Sequence, residues 1–403
     1  MHIGIAAPIA TEYVVHLLDD DTARLPHGYG GAPLIGTLID GLIARGHRVT
    51  AFTTSSGLPL PKHTSHIGQG AKFTIYYAPV RPRAFFPVGG FPGRAADAFR
   101  YERLALTRAM QEARPDVIHA HWTYEFGLAA LASGLPHVVT CHDAPQAVMR
   151  YMPNAYRLVR YFMARRCLER ASCVTAVSPY LRDAVQPITR SPIHIIPNPL
   201  SPELTQRPIT PNRLPNPEAP VIVMVANGWG QLKNPIPALK AFFRFRKTCP
   251  QARLRLFGAD YGQGETAQRW AIAQGMSEGI EFVGSLPHTE LLRQISDADA
   301  MIHPSLEETF GMSIAEAMAL GVPVIGGEQS GAVPWVIDGG GILTDVRRAN
   351  AICAGLTDLL DPKSYQNYRQ RCIARARKGF NVESVVEAYE QLYWKQTQDG
   401  LAL

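Results

Sequence analysis

Residues 197 to 220 read PNPLSPELTQRPITPNRLPNPEAP, and eight prolines in so short a stretch exclude a helix or a central strand. The segment reads as a linker, and the chain on either side of it repeats one rhythm. Before it, short apolar runs alternate with amphipathic segments, the pattern of a doubly wound parallel sheet. Strands are predicted at Ile3–Ala7, Arg48–Phe52, Asp116–His121, His137–Thr140, Cys173–Val177 and Ile193–Ile196, with helices over Leu34–Arg45 and Tyr156–Arg170. After it, strands are predicted at Val221–Val225, Arg253–Phe257, Ile280–Val283, Ala300–His303 and Val322–Ile325. At about 150 residues per domain, the chain can bury two full-sized cores. The expected organisation is a first domain over 1–197, the linker over 198–220, a second domain over 221–380 and a terminal helix over 381–403. That helix places Val382, Val385, Val386, Tyr389, Leu392 and Tyr393 on one stripe. No internal sequence repeat accompanies the shared rhythm.

Composition narrows the class. No apolar run reaches the ~18 to 20 residues that span a bilayer, and the opening MHIGIAAPIATEYVVH lacks a basic leader region and reads as a buried first strand. The six cysteines fall without any C-x-x-C spacing, so reduced thiols in a cytoplasmic protein are expected and no zinc site is implied. The net charge of +6 is uneven: residues 1–200 carry 20 Lys/Arg against 13 Asp/Glu, while the remainder is nearly balanced. The excess is arginine, in Arg81 to Arg108 and Arg150 to Arg170, and the first of these mixes basic and aromatic residues. Such a surface suits anionic lipid headgroups or an anionic acceptor, or is an ordinary solvated face. No nucleic-acid-binding signature accompanies it.

The chemistry concentrates at residues 305–323, SLEETFGMSIAEAMALGVP. Glu308 is placed on a loop approaching a helix, Glu316 in that helix's first turn, and Gly311 between them lets a ligand touch backbone. Ser313 and Glu316 form the S-x-x-E spacing of a capping box, which can be all they do. A helix N-terminus, however, suits a phosphate and flanking carboxylates suit hydroxyls, the combination a nucleotide-sugar site requires.

The whole string PSLEETFGMSIAEAMALGVPVI resembles the E-x7-E signature of the retaining family 4 glycosyltransferases. The resemblance implies an α/β chain of the GT-B fold, with two Rossmann-like doubly wound parallel-sheet domains facing a central cleft. It implies a nucleotide-sugar donor, such as a UDP- or GDP-sugar, and no other cofactor. Glu316 would meet ribose hydroxyls and Glu308 sugar hydroxyls, with Phe310, Gly311, Met312 and Ser313 contributing backbone or hydroxyl contacts. In the first domain, Gly28-Tyr29-Gly30-Gly31-Ala32 resembles the family's glycine loop near the diphosphate and acceptor, which singles out Gly30 and Gly31. PDVIHAHW resembles the motif whose second histidine, His121 here, faces the sugar and leaving phosphate; His142 and Asp143 follow the neighbouring strand. Asn227-Gly228-Trp229-Gly230-Gln231-Leu232-Lys233-Asn234 matches the family's diphosphate loop at Lys233, but Gly228 stands where an arginine is usual. Pro334-Trp335 likewise stands where proline-glutamate is usual, and Gly284 to His288 falls where relatives hold the base. Asp19-Asp20-Asp21 contains D-x-D, the metal pattern of the other glycosyltransferase fold; here it reads as a polar loop, and no catalytic metal is expected.

The resulting expectation is a retaining, metal-independent glycosyltransferase in cell-surface polysaccharide or glycoconjugate synthesis. His121, Lys233 and Glu308 would be its catalytic residues and a glycan, lipid-linked or small-molecule compound its acceptor. It would work in the cytoplasm or peripherally at the inner face of the membrane, without nucleic acid. The alternatives are a nucleotide-sugar epimerase and a non-catalytic sugar-binding scaffold, the latter kept open by Gly228 and Trp335.

Overall fold

The computed structural model describes residues 1–19, 24–60, 66–209 and 213–399, so the D-x-D at Asp19 to Asp21 lies largely outside the described residues. The chain divides into two compact units. One comprises Met1–Pro199 together with the chain from Val382 onward, and the other is Leu200–Asn381.

The first unit is built on eight strands: β1 (His2–Ala6), β2 (Arg48–Ser55), β3 (His66–Gln69), β4 (Phe73–Pro79), β5 (Val117–His121), β6 (His137–Cys141), β7 (Val174–Ala176) and β8 (Ile193–Ile195). Their order is β3-β4-β2-β1-β5-β6-β7-β8, and only β3 pairs antiparallel, at the edge. Strands β1, β2, β5 and β6 are buried along nearly their whole length, which is why they read as continuous apolar runs rather than alternating ones. The terminal helix Val382–Asp399 belongs to this unit, and all six residues of its apolar stripe are buried. Each such side chain contributes roughly 1.5–3 kcal/mol when fully buried.

The second unit holds β9 (Val221–Val225), β10 (Arg253–Phe257), β11 (Ile280–Gly284), β12 (Ala300–His303), β13 (Val324–Gly327) and β14 (Gly341–Thr344), in the order β11-β10-β9-β12-β13-β14. All adjacent pairs run parallel. Both units are therefore Rossmann-like, the two-domain composition of the GT-B fold. In each sheet the connection changes sides once, between β1 and β5 in the first and between β9 and β12 in the second. The C-terminal ends of the strands flanking such a switch point are where open α/β sheets bind ligands.

Two expectations need correcting here. The proline-rich segment does contain a helix, Pro202–Thr205, because proline at N1 has no N–H to lose. Leu200 N donates to Phe380 O and the Arg213 guanidinium to the carbonyls of Ser296 and Asp297, so this stretch is tied onto the second unit. Arg81, counted with the basic surface, is only 1% exposed: its guanidinium pairs with Glu102 at 2.7 Å and Asp97 at 2.8 Å and adds no surface charge.

Candidate functional site

The loops after β9 and β12 meet at the switch point of the second sheet. Asn234 closes the first loop in a left-handed conformation, and its Nδ2 donates to the carbonyls of Pro304 and Val346, each at 3.0 Å. Leu306 N donates to Leu232 O at 2.8 Å. These bonds fix Lys233 beside Glu308, with Nζ to Oε1 at 2.7 Å. His303, the last residue of β12, donates its Nε2–H to the same oxygen at 3.2 Å. Burial pushes the Glu308 carboxyl up, but the His303 hydrogen bond and the Lys233 ammonium outweigh it, and the group is held well below the usual carboxylate range. Glu308 is thus an anion with two donors on one oxygen, and Lys233 a cation with a replaceable partner.

Gly311 starts the helix Met312–Ala319 at φ 93°, ψ 68°, a conformation that side-chain-bearing residues rarely adopt. The first intrahelical bonds run from Ile314 N and Ala315 N to Gly311 O, so the amides of Met312 and Ser313 have no acceptor within the helix. The expected capping box is not formed. Gly311, not Ser313, occupies the N-cap; Ser313 lies inside the first turn, and Glu316 falls in the second. Glu316 is 5% exposed and accepts from His288 Nε2 at 2.9 Å. That hydrogen bond raises the His288 pKa against the lowering effect of burial. Phe310 turns its ring inward, edge-on to Trp335 and Phe380, leaving only its backbone for a ligand. Trp335 thereby has a packing role: Arg375 stacks over its ring at 5.0 Å and donates to its carbonyl at 2.9 Å.

Gly228 has φ 92°, its N–H bonded to Ala259 O and its carbonyl accepting from the Tyr261 hydroxyl at 3.3 Å. The backbone here demands glycine, which accounts physically for the missing arginine. Asn227 Oδ1 accepts from Ala259 N at 3.1 Å and braces the same turn. An open depression of about 740 Å³ elsewhere in this unit, bounded by Asn216, Phe245 and Tyr368, shares no residue with the site.

In the first unit, Gly30 and Gly31 are exposed and precede the helix Pro33–Ala44. His121 ends β5 and is 1% exposed; its Nδ1 lies 2.9 Å from His142 Nε2, while its own Nε2 is buried without a partner. Burial lowers its pKa well below the ordinary value and pushes His142 down to about 3, so both rings are neutral at physiological pH. The structure thus brings Lys233 and Glu308 into contact and gives Glu316 a separate partner. The sequence placed His288 in the base loop, Asn234 in the diphosphate loop and His303 at the close of a strand, but none of the three as a partner of the site glutamates or their loops. Among the described residues no group of three or more His, Cys, Asp or Glu could hold a metal ion, and no helix is long and apolar enough to cross a membrane.

Residues 30–204 match the family described as Glycosyltransferase Family 4, and residues 206–379 the family described as Glycosyl transferases group 1. The chain is 27% identical over 312 residues to glycogen synthase of Mycobacterium tuberculosis, covering 73% of this chain and 71% of that one. It is 25% identical over 391 residues to the N-acetyl-alpha-D-glucosaminyl L-malate synthase of Bacillus anthracis, covering 92% and 95%. Among solved structures it resembles the sucrose-phosphate synthase of Thermosynechococcus elongatus, with TM-score 0.73 at 19% identity over 98% of this chain and 99% of that one.

Proposed function

Starting from a chain that is a GT-B-fold glycosyltransferase related to the family 4 and group 1 enzymes, we propose that it transfers a sugar from a nucleotide-sugar donor to an acceptor hydroxyl with retention of configuration. The observation that carries this reading is the Lys233–Glu308 pair at the switch point of the second sheet, with Glu308 on the loop that leads into the helix whose first amides, Met312 and Ser313, have no acceptor within it. A donor diphosphate supplies Lys233 with a stronger anionic partner and fills the helix N-terminus, while Glu308 turns to the sugar hydroxyls. Glu316, oriented by His288, takes the ribose. The C1–O bond to phosphate breaks, the acceptor oxygen bonds C1 on the same face, and the acceptor proton passes to the departing phosphate oxygen. Lys233 and the helix amides offset the charge that develops there, so the reading requires no metal. Neutral His121 is assigned, on the family resemblance, a hydrogen-bonding role toward the sugar.

The two relatives by sequence make, by their names, glycogen and N-acetyl-alpha-D-glucosaminyl L-malate, products so different that the acceptor class is not transferred from them. The test is a panel of nucleoside diphosphates and their sugars, read by calorimetry and by product formation. Binding in the wild type, lost with turnover in Glu308→Ala, supports the reading. A folded protein that neither binds nor consumes any donor refutes it, and one that binds without turnover is the sugar-binding scaffold that Gly228 in place of the usual arginine favours.

The acceptor side also fits an anionic membrane surface. Phe86 is 72% exposed, and Leu158 and Phe162 are exposed on the helix Ala155–Leu168 beside Arg165 and Arg166. Cosedimentation with vesicles containing phosphatidylserine should be strong at low salt and lost in Phe162→Ser; no binding at low salt leaves an ordinary solvated face.

A further inference from the structure

Trp335 stands where a glutamate is usual in relatives, and its surroundings are built for a ring. It lies on the short helix Val333–Ile337, with its ring centroid 6.2 Å from that of Phe310 and 5.8 Å from that of Phe380. Phe310 and Phe380 meet each other edge-on at 5.1 Å, so the three rings are mutually in contact. The Arg375 guanidinium covers two of them, 5.0 Å from the Trp335 centroid and 4.9 Å from that of Phe380. Phe310 is 2% exposed and Phe380 is fully buried. The cluster is braced by main chain: Arg375 donates to the Trp335 carbonyl at 2.9 Å, and Leu200 N to the Phe380 carbonyl at 2.7 Å.

Both ends of the glutamate loop hang on the segment that carries Trp335. Ala332 N donates to Glu308 O at 2.8 Å, and Glu308 pairs with Gly331 in a short parallel bridge. Three residues beyond Ala332, the Trp335 ring holds that of Phe310. Glu308 and Phe310 are thereby fixed from residues 331–335 alone. Between Phe310 and the helix lies Gly311 at φ 93°, which has the widest conformational freedom of any residue type. The aim of the Met312 and Ser313 amides relative to the Glu308 carboxylate therefore depends on where Phe310 is held. A glutamate at 335 would withdraw one ring from Phe310 and set a carboxylate beside Arg375, drawing the guanidinium off Phe380. A displacement of about 1 Å in a positioned group can cost on the order of a hundredfold in rate.

We propose that Trp335 is a positioning residue for the donor. With Arg375 and Phe380 it holds the Phe310 ring, and so fixes the backbone from Glu308 to Ser313 against which the nucleotide-sugar binds. The proposal rests on the donor reading and adds to it a side chain that acts only through Phe310.

The test compares the full-length wild type with Trp335→Leu, Trp335→Glu and Trp335→Phe. Hydrogen exchange follows the amides from Thr309 to Ser313, and calorimetric titration follows binding of UDP and GDP. Tyr365→Phe, which deletes a buried hydrogen bond to Asp299 O elsewhere in the same unit, controls for stability. Trp335→Leu and Trp335→Glu should speed exchange over Thr309 to Ser313 and weaken nucleotide binding about tenfold, while Trp335→Phe stays within about threefold of the wild type. Tyr365→Phe should lower the melting temperature and leave both readouts unchanged. Arg375→Met should shift both readouts in the same direction by about threefold. If Trp335→Leu fails to fold, Arg375→Met decides, and wild-type exchange and affinity in it overturn the proposal. Unchanged exchange or unchanged affinity in a folded Trp335→Leu also overturns it, as does a Trp335→Glu that binds nucleotide at least as tightly as the wild type. Equal losses in Tyr365→Phe would reduce the effect to stability and overturn it too. A wild type that binds neither nucleotide refutes the donor reading itself, and the proposal falls with it.

Discussion

His119 Nδ1 and the Tyr393 hydroxyl lie 2.6 Å apart although 274 positions separate them. His119 Nε2 meets Thr140 Oγ1 at the same distance, and that oxygen also touches the hydroxyls of Thr175 and Tyr389. A neutral imidazole has one donor and one acceptor, so the tyrosine and threonine hydroxyls take opposite roles around it. The network joins the middle of the first sheet to the terminal helix. The His119 ring also packs, tilted, against that of His121, with centroids 4.0 Å apart.

Tyr393→Phe deletes one buried hydroxyl and leaves Nδ1 unpaired, which should cost about 1–2 kcal/mol. Urea denaturation should show a lower midpoint at unchanged slope. An unchanged midpoint would mean that the bond contributes nothing.

Acid should destabilise the first unit. Burial pushes His119 and His142 down to about 3, whereas the unfolded chain protonates near 6.5. Between these values the unfolded state binds more protons, so stability falls as pH falls. Each group accounts for up to about 1.4 kcal/mol per pH unit in that window. His142→Phe should make the dependence shallower, measured by urea midpoints at about pH 7 and about pH 5.

His288 should show the opposite sign. Its hydrogen bond to Glu316 raises its pKa above the ordinary 6.5, so the stabilisation is complete below that value and disappears as pH rises through the folded one. His288→Gln should flatten the loss of melting temperature between about pH 6 and about pH 9. If the wild type shows no such loss, the pair is not a charged one.

Lys233→Ala removes the cation that pairs with Glu308 and that, in the function proposed, meets the donor phosphate. Turnover should drop by about a hundred- to a thousandfold, the cost of losing one preorganised charge-stabilising group. The Glu308 pKa should also move up toward the ordinary range, since Lys233 is one of the groups holding it down. An acid limb that shifts with the rate separates this role from a loss of folding.

Gly228→Arg restores the residue usual in relatives at a backbone position of φ 92°. No atom lies within 4 Å of the added Cβ, so the penalty is conformational rather than steric. Stability should fall by about 1 kcal/mol or more, with no gain in donor affinity, because relaxing the strain breaks the bonds to Ala259 and Tyr261. Tighter donor binding at unchanged stability would show that the loop accepts the arginine.

Ala300–His303 was legible to the residue because a strand buried on both faces writes a continuous apolar run, and Arg253–Phe257 because its buried leucines alternate with arginines that reach the surface. The edge strand His66–Gln69 was not, since only Gly68 of its four residues is buried and no pattern is written. In the site, Glu308 and Lys233 were legible as residues through their surrounding strings. Their contact was not, because it depends on Asn234 bonding across to carbonyls 70 and 112 positions away. The capping box failed for a local reason: a glycine able to hold φ 93° two residues earlier took the cap.

The return of Val382–Asp399 to the first unit has a consequence for synthesis. The second unit is one uninterrupted segment and can fold as soon as Asn381 has left the ribosome, whereas the first waits with β5 and β6 uncovered until the helix is made. The half of the molecule translated first is therefore the half completed last. A chain truncated before Val382 should accumulate with its second unit formed and its first a target for proteases.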